Sequence, residues 1–127
     1  MKTLLTLQFF AGFFLILSLV STAASAQQNP RELFEQARML DEGNQSLTEA
    51  IALYRRVATL ATDERKLAAE AQLRVGLLYE RLGRTAEAQR TFAAVLNEYT
   101  DQAEAVRQAR ARIAATRVEE ETASDIT

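Results

Sequence analysis

Two residue types that carry much of protein chemistry are missing from this 127-residue chain: it has no histidine and no cysteine. Histidine titrates near neutrality and is the commonest general base and metal ligand. Without it and without thiolates, zinc and iron–sulfur sites lose their usual ligands, and neither a disulfide nor a thiol nucleophile is available. Carboxylate and arginine chemistry remains. Adjacent acids occur at Asp41-Glu42 and Asp63-Glu64, both at expected helix ends, where the second pair suits the positive field of a helix N-terminus. There is no glycine-rich phosphate loop and no Gly-x-Ser-x-Gly elbow; Gly76 and Gly83 stand alone. The reading is a non-enzymatic protein with no catalytic residues, no cofactor and no metal site. Four arginines, Arg107, Arg110, Arg112 and Arg117, form a basic strip near the C-terminus. One reading is a docking strip for an acidic partner; the other, favoured because charge runs are usually solvated, is a hydrated face with Glu104 beside Arg107 and Gln108. Arg110 falls near the stripe expected to be buried, so its stem is expected to cover apolar surface.

The elements that position these residues read as helices throughout. Asn29-Pro30 is an N-cap followed by proline at the first helical position. The helix to about Glu42 sets Leu33, Phe34, Ala37 and Leu40 on one face, and Gly43-Asn44 ends it. Ser46-Leu47-Thr48-Glu49 reads as a capping box opening a second helix to about Leu60, with Ala50, Leu53, Tyr54, Val57 and Leu60 as its buried stripe. Thr62-Asp63 ends that helix and caps a third, about Glu64 to Leu82. Gly83 suits the left-handed residue of a helix C-terminus, and Thr85 the N-cap of a fourth helix, about Ala86 to Glu98. Thr100 or Asp101 caps a fifth to about Thr116, whose apolar positions Ala103, Val106, Ala109 and Ile113 are mostly small.

The stretch from Ala69 to Gln102 is the centre of this arrangement. Antiparallel helices must approach to roughly 8–10 Å, and Gly76 and Ala88 permit it, while Tyr79 and Phe92, one turn further on, fill the space beside them. A helical glycine costs about 1 kcal/mol against alanine, so close approach is the reason to keep Gly76. An internal repeat supports the register: Glu49-Ala50, Tyr54 and Val57 recur at a spacing of 38 as Glu87-Ala88, Phe92 and Val95, and Ala37 and Leu40 recur at 39 as Gly76 and Tyr79. The packing set of the repeat is thus Ala50, Tyr54, Val57, Gly76, Tyr79, Ala88, Phe92 and Val95.

This pattern resembles the tetratricopeptide repeat (TPR), a helix–turn–helix unit of about 34 residues. Its small and aromatic positions fall on Gly76, Tyr79, Ala88 and Phe92; Gln72 stands where the family favours Trp, Val95 where it favours Ala, and Thr100 where it favours Pro. The resemblance implies an all-α, right-handed α-solenoid of about two TPR-like hairpins plus a C-terminal capping helix. It also implies a concave groove lined by the first helix of each unit, with Glu70, Leu73, Leu77 and Glu80 pointing into it. Two leucines flanked by carboxylates suit an apolar peptide or helix with a basic residue beside it. Alternatively, the first or fifth helix covers those leucines within one molecule.

The N-terminus adds a location. Lys2, an apolar run from Leu4 to Val20 and Ala24-Ser25-Ala26 have the form of a secretory signal peptide over residues 1–26, cleaved after Ala26; the alternative is an anchor retained in the membrane over residues 4–20. The rest has 14 basic and 17 acidic side chains, a mild negative charge that argues against a nucleic-acid or anionic-membrane partner. Residues 27–117 form the helical domain, and residues 118–127, Val-Glu-Glu-Glu followed by small polar residues, are expected to be a disordered acidic tail. The chain also resembles the N-terminal TPR segment of exported bacterial envelope proteins, some of which continue into a β-propeller; it stops where such a domain would start. The expected function is protein–protein interaction in the cell envelope, periplasmic or secreted, with homo-oligomerisation through the leucine face, or a truncated relative of a longer protein, as the second reading.

Overall fold

A computed structural model describes residues 27–126, and the expected signal segment lies outside them. Five helices follow one another: α1 Pro30–Glu42, α2 Leu47–Leu60, α3 Arg65–Arg81, α4 Thr85–Glu98 and α5 Ala103–Asp125. Consecutive helices pack against each other, and α3 also touches α1 and α5. The first helices of the hairpins, α1 and α3, and the terminal α5 therefore share one layer, with α2 and α4 behind it. This is an all-α helical repeat.

Local chemistry sets each start and stop. Asn29 Oδ1 accepts a hydrogen bond from the Arg31 N–H at 3.0 Å, with Pro30 in the first turn. Ser46 Oγ accepts one from the Glu49 N–H at 3.4 Å, which is one half of the expected capping box. Left-handed residues close two turns: Asn44 at φ 49° after α1, and Gly83 at φ 70° after α3. At Gly83 the Arg84 N–H reaches back to the Tyr79 carbonyl at 2.8 Å, capping the helix. The other expected caps are displaced. Glu64, Arg84 and Gln102 hold the N-cap positions of α3, α4 and α5, none with a side-chain cap bond. Asp101 does not cap because its carboxylate is taken by Arg65, whose Nη2 also donates to the Glu98 carbonyl at 2.8 Å.

One core runs through the layers. Ala50, Tyr54 and Val57 of α2 and Ala88, Phe92 and Val95 of α4 are all fully buried, so the two copies of the repeat do the same packing work. Phe34 meets Tyr54 edge-on, centroids 5.2 Å apart. Gly76 lies against the Phe92 ring: a Cβ there would sit 2.8 Å from Cδ1 and 3.0 Å from Cζ, and closer still to Cε1. The close approach of α3 and α4 is thus set by an aromatic face lying flat where a side chain would be. Leu60 is 45 % exposed, so it does not belong to the stripe expected for it; it is the last residue of α2, which ends before the next layer covers it. In α5 the buried residues are Ala105 and Ala109; Ala103 is exposed, and so is Arg110.

The C-terminal stretch differs from expectation. Residues 118–125, read as a disordered tail, continue α5 as helix. The three glutamates Glu119 to Glu121 and Ala123 are good helix formers and extend a helix already under way. Threonine hydroxyls bond back one turn, Thr116 to the Arg112 carbonyl at 3.2 Å and Thr122 to that of Val118 at 2.7 Å.

Candidate functional site: a groove between α3 and α5

The groove residues lie together along α3. A cavity of about 570 Å³ opens between α3 and the start of α5, with Glu70, Leu73, Arg74 and Leu77 on one wall and Ala105 and Gln108 on the other. Leu73 is its floor, only 4 % exposed, while Leu77 is partly buried against the core. The fifth helix therefore covers the leucines in part: it turns an open face into a slot, and it leaves Leu77 reachable. Glu80 belongs to a second cavity of about 410 Å³ further along the same helix, with Asp41, Arg81 and Arg112. Arg74 and Leu77 line both, so the two form one continuous groove.

A charged cluster in this groove was not foreseen from the sequence. Asp41, in the last turn of α1, is buried, its side chain 8 % exposed. Arg81 Nη1 donates to it, and Arg81 Nη2 donates to Asn44 Oδ1 at 3.0 Å. The Tyr54 hydroxyl donates to Asp41 Oδ2 at 3.4 Å, and Arg74 Nη1 stands 3.7 Å from the same oxygen. A carboxylate at a helix C-terminus opposes the dipole, and a buried charge needs partners; two arginines from α3 supply them. The readable signal was present: Asp41 completes the i, i+4 stripe through Leu33 and Ala37, a charged residue at a core position. Its partners lie 33 and 40 residues away, beyond any local pattern.

The electrostatics follow from these neighbours. Burial, then the Asp41 charge, pushes the Tyr54 phenol far above its ordinary value. Asp101 is held well below the carboxylate range, first by its hydrogen bonds from Arg65 and then by that from Gln102. Around the groove, Arg112 Nη1 stands 3.7 Å from Glu80 Oε2, and Glu104 pairs with Arg107. Arg74, at the centre, is partly exposed and stands beside an Asp41 that already accepts from Arg81 and Tyr54. Among the described residues no three carboxylates gather as a metal site would require. Of the adjacent acids, Asp41 is enclosed in its ion cluster and Glu64 pairs with Arg31 at 2.7 Å. No described helix is long and apolar enough to cross a membrane; the Leu4–Val20 run lies outside the described residues.

A helical hairpin with small-to-aromatic packing and a slot on the inner layer defines a class of repeat. Residues 70–101 match the family model of the tetratricopeptide repeat, a span that takes in α3 from Glu70, all of α4 and the turn after it. The rest of the chain lies outside that match. No curated protein and no solved structure matches the chain.

Proposed function

We propose that this protein is a protein-binding module that takes an apolar segment of its partner into the groove between α3 and α5. The observation that carries this is the slot itself: a cavity of about 570 Å³, floored by Leu73 and Leu77 and ringed by Glu70, Arg74 and Gln108. An apolar floor with a few charged groups on its rim suits anchoring by one or two side chains, with the charges fixing orientation. The tetratricopeptide repeat match supports a protein rather than a small-molecule ligand. The signal-like pattern of the first 26 residues supports a site of action in the cell envelope, which mass measurement of the processed chain tests: the expected N-terminus is Gln27.

Crosslinked capture from envelope extract tests the binding. Leu73 is too deep to change without disturbing the core, so the informative variant is Leu77→Glu with Glu70→Lys. Capture of a partner by the parent chain and its loss in the variant, at unchanged helicity, is the expected result. Equal capture by both chains contradicts the groove.

A further inference from the structure

We propose that the outward face of α5 pairs antiparallel with the α5 of a second copy of this chain. Helix α5 has 23 residues, about 35 Å at 1.5 Å per residue. It runs alongside α3, Gln102 near Lys66 at one end and Arg112 near Glu80 at the other. Since α3 ends at Arg81, the turns from Ala114 to Asp125 project about 18 Å past the bundle, and their side chains are exposed except at Thr116.

The charge on α5 is divided along its length. Arg107, Arg110, Arg112 and Arg117 precede Glu119, Glu120, Glu121 and Asp125. The last turn has no basic residue, so these acids sit at the negative end of the helix dipole, where cations are wanted. Glu119, Glu120 and Glu121 make no ion pair among the described residues, and neither does Arg110. Arg117 is within one turn of Glu120 and Glu121, and a second α5 running in the opposite sense offers the other arginines to these acids.

Helical geometry gives the register. At about 100° per residue, Ala111, Ala115 and Val118 lie on the side of α5 opposite the buried Ala109. All three are exposed, Val118 to 60 %. Around this seam, Arg110 and Glu121 share one flank, and Arg112 and Glu119 the other. In an antiparallel pair each flank meets its own copy reversed, so Arg110 faces Glu121 and Arg112 faces Glu119, each twice. This is a two-fold, self-complementary interface. A parallel pair would set like charge beside like charge.

Sedimentation of the chain from Gln27 onward, which contains every core residue, tests this. The expected mass is twice that of one chain, falling towards one as salt screens the pairs. Glu119→Arg with Glu121→Arg is expected to give a single chain at unchanged helicity, and adding Arg110→Glu and Arg112→Glu to restore the doubled mass. Because the chain has no cysteine, Ala115→Cys gives a clean readout: its sulfur lies near the two-fold axis and should crosslink the copies on oxidation. A parent chain that stays single, a dimer that survives the charge reversal, or a reversal that its compensating changes do not rescue, overturns the pairing. Arg112 also lines the groove beside Glu80, so these variants are read by mass and not by partner capture.

Discussion

At the scale of single residues, Gly76 and Asp41 show two ways in which one position decides the packing. A Cβ on Gly76 would press into the fully buried Phe92 ring. Alanine gains up to about 1 kcal/mol of helix propensity, but overpacking of this kind costs typically about 1–3 kcal/mol. Gly76→Ala is therefore expected to lower stability on balance, and Gly76→Leu to lower it much more; Phe92→Leu in the Gly76→Ala background should recover part of the loss, which a double-mutant cycle in urea measures. A Gly76→Ala chain as stable as the parent would mean that the ring has room to move. Asp41→Asn keeps the shape but removes the charge that Arg81 and Arg74 face. With both arginines more than a third exposed, the expected loss is about 1–3 kcal/mol, in the range of a hydrogen bond to a charged group. An unchanged unfolding midpoint would show that the arginines simply rehydrate.

At the scale of elements, the turns carry the register. Gly83 adopts φ 70° with open space around it, so Gly83→Ala tests backbone strain alone and is expected to cost about 1–2 kcal/mol; no loss of thermal stability would put the turn in a different conformation. The helices and their order were legible because period and punctuation agree: Asn29-Pro30, Ser46 to Glu49 and Gly83 each mark a boundary. The N-cap of α5 was not, because Asp101 is drawn away by Arg65 from a different helix, and long-range pairing of this sort leaves no local trace. The helical continuation of α5 was missed for the converse reason. An acidic run of Glu119 to Glu121 reads as solvated chain, although each residue in it is a good helix former. In the groove, Leu73 and Leu77 were readable from helical spacing and family resemblance together, whereas Arg74 and Asp41 needed the packing of α1 against α3.

At the scale of the whole molecule, stability should have a broad plateau with two unlike shoulders. Tyr54 keeps its proton in the fold to a higher pH than the ordinary phenol value of 10.0, and Tyr99 shifts the same way through burial. Their contribution is complete below about pH 10 and is lost as pH rises beyond it, because the unfolded chain then releases protons that the fold retains. Asp101, Glu87 and Glu104 are shifted down; their contribution is present above about pH 4 and is lost as pH falls. All three are solvent-exposed, so the acid shoulder should be shallow. Urea midpoints from pH 3 to pH 11 check this, and Tyr54→Phe should flatten the alkaline shoulder while leaving the acid one; a parent chain with no alkaline loss would contradict the placement of Tyr54 beside Asp41. The proposed binding rests on the same architecture: α1, α3 and α5 form an inner layer whose slot exposes Leu77 beside Arg74. The most direct test is site-specific photocrosslinking in envelope extract, with the probe at Leu77 in the slot or at Arg90 on the outer helix α4. Adducts to a distinct partner from Leu77 and none from Arg90 are the predicted result. Equal labelling from both positions, or labelling from Arg90 alone, would contradict the groove as the binding site.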